Sequence, residues 1–176
     1  VSDLYEFRKM LEINAARLAA QNAQPAHLRE FDDILGKLEE LTSEPKDHAR
    51  AVKLDLEIHD LIARASGIRS LHQAVQGVLD KVMCFISVET GDKESLAAAH
   101  SQHQALLKAI KRKDAGRAAE LIRAHIEGAQ VSLLKVLQAR DSLRNAVLSA
   151  SPSWKDARTR ERPLQKPDKE DRHERH

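Results

Sequence analysis

LDLEIHDLIARASG, residues 54–67, reads as an apolar helix interrupted by an acid and an imidazole one turn apart, Asp55 and His59. At 3.6 residues per turn, Val52, Asp55, His59 and Ile62 fall on one stripe, flanked by Leu54, Ile58, Leu61 and Ala65. The polar pair is therefore expected to point inward, and Ser66–Gly67 to stop the helix. Polar groups buried without partners destabilise a fold by several kcal/mol, so this stripe asks for something that satisfies it.

The surroundings are helical throughout. Six Gly and five Pro in 176 residues, three of the Pro after residue 150, leave long segments rich in Ala, Leu, Glu, Lys, Arg and Gln, the good helix formers. Turn signals divide the chain into six helices, over about Asp3–Gln21, Pro25–Leu41, Asp47–Ala65, Ser70–Val88, Lys93–Arg112 and Asp114–Leu148. The expected class is all-α, an antiparallel bundle of about six helices enclosing a metal or ligand pocket. Leu4, Phe7, Leu11, Ala15 and Leu18 make the apolar stripe of the first helix, and Leu28, Phe31, Ile34, Leu35 and Leu38 that of the second. The fourth helix, nearly apolar from Val75 to Val88, is expected deep in the bundle, with Cys84 as a small buried hydrophobe.

Residues 1–150 are expected to form one domain and residues 151–176 a disordered tail, because "SPSWKDARTRERPLQKPDKEDRHERH" has 14 charged residues and no apolar period. That tail holds eight of the 29 basic and six of the 27 acidic residues, which leaves 21 of each sign in the body. A neutral body gives no basic face for phosphates, so direct DNA binding is not expected. No apolar run approaches the roughly 20 residues of a membrane span, and "VSDLYEFRKMLE" lacks a secretory pattern. With no second Cys to form a disulfide within the chain, a cytoplasmic protein without a membrane partner fits.

The anomaly of residues 54–67 recurs twice. His103 sits centrally in the stripe Leu96, Ala99, His103, Leu106, Ile110, and His125 in Ala118, Ile122, His125, Ala129, Val136. Any one such histidine is usually a core residue with a single hydrogen bond. Three beside a carboxylate point to a divalent transition metal, which takes neutral imidazoles and an ionised carboxylate, their ordinary forms at neutral pH. Zinc stands foremost, with nickel, manganese, cobalt and iron as alternatives, and the imidazole-rich set argues against calcium and magnesium. Asp55 and His59 share a helical face, while His103 and His125 would come from neighbouring helices. His100, one turn from His103, competes as third ligand; His27, His48 and His72 read as exposed.

The order "LYEFRKMLEINAARLAA", "DLEIHDLIARASG" and "HSQHQALLKAIKRKDAGRAAELIRAHI" resembles the FCD domain, the effector-binding C-terminal domain of FadR-type GntR transcriptional regulators, over about residues 2 to 145. The resemblance implies Asp55, His59, His103 and His125 as metal ligands. It further implies a small organic acid effector against the metal, with Arg8 of "LYEFRKMLE" as its counter-charge, since a guanidinium fork grips a carboxylate bidentately.

Two features depart from the family pattern. "SGN" after the Asp/His helix is "SGI" here, with Ile68 in place of the polar residue. The chain also begins at the first FCD helix, so DNA would be reached only through a winged-helix domain absent from this sequence, whether removed or never present. The resulting expectation is a ligand-sensing domain of a transcriptional regulator, a homodimer and not an enzyme. The rival is a metal-dependent hydrolase, since such a site can also activate water; Glu12 is the nearest candidate base.

Overall fold

The computed structural model describes residues 1–43, 47–86 and 93–150. Six helices follow in order, α1 Ser2–Asn22, α2 Pro25–Ser43, α3 His48–Ala65, α4 Arg69–Ile86, α5 Lys93–Lys111 and α6 Ala115–Ala150. The class is all-α, as the composition implies. Val1–Leu137 form one compact unit, and the described residues from Gln138 to Ala150 fall outside it. The expected breaks at 44–46 and 90–92 and the charged tail lie outside the described residues, as do the side chains of His48 and Leu96.

Helix boundaries follow local chemistry. Asp47 caps α3, its Oδ1 accepting from Arg50 N at 2.9 Å, and Asp114 does the same for α6 with Arg117 N at 2.9 Å. At the far end of α3, Gly67 takes φ +78°, a left-handed turn open to glycine at little strain. Ser66 Oγ donates to Ala63 O, and Asn22 Nδ2 reaches across to Ser66 O at 2.7 Å. This last bond ties the C-terminal ends of α1 and α3, so the two helices run in the same direction. Between α5 and α6, Lys113 takes φ 58° and its N–H donates to Ile110 O. That tight turn lets α6 bring His125 back to Gln102 of α5.

The core is mainly aliphatic, with Leu38, Ile58, Leu61, Ile62, Leu106, Ile122, Ile126 and Leu133, beside the aromatic Phe31, nearly or wholly buried. The second and third helices largely bury their expected stripes. α1 does so in part, with Ala15 buried and Leu4 and Leu11 packed partly buried against the core. Its buried face is Tyr5, Arg8, Glu12, Ala15, Ala16, Ala19 and Ala20, while Phe7 and Met10 are 49% and 66% exposed. The helix is turned by about one residue from the apolar stripe, because small alanines allow close approach and the two charges satisfy each other. Among its described side chains, α4 buries Val75, Val78, Leu79 and Val82 and exposes the opposite side, so it covers the bundle rather than threading it. Cys84 lies on that exposed side, a correction to its reading as a buried hydrophobe. A groove of about 560 Å³ on the outer side of α3 is lined by residues such as Ile34, Leu56, Leu79 and Met83. At 100° per residue, its α3 residues lie on the helix face opposite Asp55 and His59.

Candidate metal centre

Three helices bring four candidate ligands together. α3 supplies Asp55 and His59, α5 supplies His103, and α6, folded back by the Lys113 turn, supplies His125. One potential ligand atom from each lies within 4.8 Å of all the others. Asp55 Oδ1 is 3.6 Å from His103 Nε2 and 3.7 Å from His125 Nε2, and Oδ2 is 3.7 Å from His59 Nε2. Donors about 2.0–2.2 Å from a shared ion stand roughly 3–4 Å apart, so these separations suit a single ion with slight contraction. The imidazole centroids are 4.4 to 5.6 Å apart.

Burial and hydrogen bonding reveal what each ring presents. His59 and His103 are fully buried, His125 is 5% exposed, and Asp55, at 23%, is the member that meets solvent. The His59 Nδ1–H donates to Glu12 Oε2, and the His125 Nδ1–H donates to Gln102 Oε1 at 2.8 Å. Each acceptor fixes the tautomer and turns Nε2, with its lone pair, into the cluster, as outer-shell partners of metal-bound imidazoles do. Among the described residues, both ring nitrogens of His103 and the Nε2 of His125 have no hydrogen-bond partner. A buried imidazole in that condition is destabilising, and a cation among the four side chains relieves it. The donor set therefore fits a divalent transition metal, with nitrogen donors favouring zinc and its neighbours over calcium or magnesium.

The electrostatics agree. Burial, with the neighbouring His59, His100 and Arg8 outweighing Asp55, lowers the His103 imidazole to about 4. Burial, then His103, His59 and Arg8, holds His125 well below its ordinary value. Both rings are neutral at neutral pH, the state that binds metal. With neutral rings, Arg8, Glu12 and Asp55 leave one net negative charge, which a dication complements.

Arg8 and Glu12 complete the site from α1. Arg8, 1% exposed, donates from Nε to Glu12 Oε1 at 2.6 Å and from Nη2 to His59 Nε2 at 3.0 Å. It lies 5.5 Å from the Tyr5 ring centroid. Burial alone would lower its ionisation, yet Glu12 and Tyr5 raise it, so the guanidinium stays charged. Burial pushes the Glu12 carboxyl up, but Arg8 and His59 together bring it down to about 2.

Sequence reasoning thus names the residues that meet, Asp55, His59, His103, His125 and Arg8. It takes Glu12 for a candidate base or a solvated residue, whereas Glu12 is 2% exposed and bridges Arg8 and His59. Its spacing from Arg8, one helical turn, is the signal that could have found it. Gln102 had no such signal. His100 stands apart from the four, its Nε2 taking a bond from Gln104 Nε2 at 2.9 Å. His72, expected on the surface, is half-buried against Asp60 at 2.8 Å. Ile68, the departure after "SG", is 44% exposed.

Comparison with known proteins agrees with this fold. Over 136 residues the chain is 26% identical to the Nta operon transcriptional regulator of Aminobacter aminovorans, an alignment covering 77% of this chain and 62% of that protein. The chain thus spans about three fifths of that relative's length. The solved structure of E. coli McbR/YncC superposes with a TM-score of 0.69 at 20% identity, over 76% of this chain and 64% of that one. That of Streptococcus agalactiae GntR gives 0.62 at 23% identity, over 74% and 58%. These two likenesses concern the fold. The model of the FCD domain matches residues 3–128, and the chain belongs to the FCD domain family.

Proposed function

We propose that this chain is the ligand-sensing domain of a FadR-type GntR transcriptional regulator. Asp55, His59, His103 and His125 would hold one divalent transition metal, zinc foremost, and a small organic acid would bind against it with Arg8 as counter-charge. Bound, the metal supplies a Lewis-acidic seat for a carboxylate. The single observation that carries the reading is His103, fully buried with both ring nitrogens unpaired beside Asp55 and His125 among the described residues. Acid binding would shift the bundle between two packings and so reposition an attached winged-helix domain, through which alone DNA would be reached. We further propose a homodimer, located in the cytoplasm, whose sensing unit is residues 1–150 and excludes the charged residues 151–176.

A hydrolase built on the same ligands is the weaker reading. Its base would be Glu12, but that carboxylate already accepts from Arg8 and His59. A group lowered to about 2 is also a poor proton acceptor at neutral pH.

Elemental analysis of the purified protein tests the metal, with about one ion per chain expected. Calorimetric titration of a panel of small carboxylates tests the effector. Arg8→Ala should weaken acid binding by roughly 2–5 kcal/mol, as truncation of one partner of a buried charge pair does, and leave metal content intact. Equal affinity in both proteins would remove Arg8 from the effector site.

A further inference from the structure

His59 has one lone pair to give. Its Nδ1–H is committed to Glu12, so Nε2 is the sole acceptor of the ring, and Arg8 Nη2 donates to it at 3.0 Å. The same Nε2 lies 3.7 Å from Asp55 Oδ2, on the side where the other ligand atoms converge. A lone pair that coordinates a cation cannot also accept a hydrogen bond. We infer that Arg8 is a displaceable internal cation, which surrenders His59 Nε2 when a divalent metal binds and thereby presents its freed guanidinium edge to a carboxylate ligand. The inference rests on the metal and carboxylate reading proposed above and adds an order to it.

Three features make the exchange economical. Arg8 stays anchored at the other edge of its fork, where Nε donates to Glu12 Oε1 at 2.6 Å, so release of Nη2 turns the side chain about a fixed point. Glu12 serves as the positioning residue for both partners, holding Arg8 by one carboxylate oxygen and the His59 tautomer by the other. A guanidinium stripped of its Nη2 bond in a site where it is 1% exposed needs a new acceptor, and an anion provides one. Metal and acid binding are then positively coupled through one side chain, and the coupling is reciprocal.

The test uses the 176-residue chain labelled with 15N and cleared of metal by a chelator, with zinc alone as the first probe. On zinc addition the Nε2 resonances of His59, His103 and His125 should all shift. The Arg8 Nη resonances should lose their restricted rotation, and Arg8 Nε should keep its position. With acetate as the second probe, zinc should raise the affinity of the wild type at least tenfold more than that of Arg8→Met. Arg8→Met should itself bind zinc about tenfold tighter than wild type, the change expected when one charge-assisted hydrogen bond no longer has to be broken. If the three imidazoles shift and Arg8 Nη does not, the exchange is wrong while the metal site stands. If no imidazole responds to zinc, both the exchange and the reading beneath it fall. The NMR arm needs no variant, so a poorly folded Arg8→Met leaves the outcome decisive.

Discussion

α3 and α4 are neighbours of equal length, 18 residues each, joined through Gly67. α4 meets the bundle with Val75, Val78, Leu79 and Val82 and turns charge to the outside. α3 surrounds its inner face with Leu54, Ile58, Leu61 and Ile62 as well, but places His59 and half-buried Asp55 among them. Both helices are held by aliphatic burial, at about 25 cal/mol for each Å² removed from water. The histidine of α4, His72, is half-buried but already bonded to Asp60 at 2.8 Å, so α4 joins the bundle without a fully buried imidazole. The fully buried His59 of α3 is a burden that aliphatic packing does not require.

The contrast breaks most completely at α3. Asp55→Ala should abolish tight zinc binding, and with it the metal-linked stabilisation, about 2.7 kcal/mol at a free metal concentration of 100 times Kd. Thermal melts with and without zinc check this, and an equal zinc-induced rise in both proteins would place the ion elsewhere. Acidity should come next. The unfolded chain takes up protons near 6.5, whereas folded His103 does so at about 4 and His125 well below its ordinary value. Stability of the zinc-free protein should therefore be complete above pH 6.5 and fall as pH drops toward 4. Glu12, with an ordinary value of 4.5 and about 2 in the fold, extends the loss from pH 4.5 downward. Urea titrations between pH 4 and 8 would contradict this if the profile were flat.

Val82→Ala in α4 should destabilise by about 2 kcal/mol, the transfer and cavity terms of a truncated Val, with zinc affinity unchanged. A parallel loss of zinc affinity would mean that α4 also shapes the site. An effect of similar size, confined to zinc affinity, concerns Gln102, whose Oε1 orients His125. Gln102→Ala should weaken zinc by about 10–100-fold, the usual effect of removing a ligand's hydrogen-bonded support. Chelator competition reads this directly, and full retention of affinity would show that the packing of His125 alone sets its angle.

What could be read from the chain follows the same division. On α3, α5 and α6 the histidines interrupt runs of Leu, Ile and Ala, so periodicity alone turns them inward, and the fold keeps that direction. α1 misleads because its large apolar residues and its buried face overlap only in part, with Tyr5 inside and Leu4 and Leu11 at the edge. Phe7 and Met10 face out, and Ala15, Ala16 and Ala19 fill the inside beside Arg8 and Glu12. Hydrophobic pattern measures single-residue preference, whereas Arg8 and Glu12 are tolerated inside only as a pair closed by His59, 47 residues beyond Glu12. Gln102, on a largely exposed turn of α5, carries no pattern at all until α6 lies against it. Cys84 fails for the opposite reason, since an apolar residue on α4 can lie on the face turned away from the core.

Arg8 and Glu12 occupy consecutive turns of α1, and Asp55 and His59 consecutive turns of α3, so the two helices meet at a pair of turns engaged with each other. A one-residue slip of α1 would advance it by about 1.5 Å and rotate it by about 100°, which breaks the contacts that Arg8 and Glu12 make with His59 and leaves charges buried. Together with the Asn22–Ser66 bond at the other end, the site works as a keyway that fixes the register of two parallel helices. The opening turns of a helix ordinarily fray; here unwinding residues 5–12 means breaking the buried Arg8–Glu12–His59 network, so the earliest turns of the fold are firmly held.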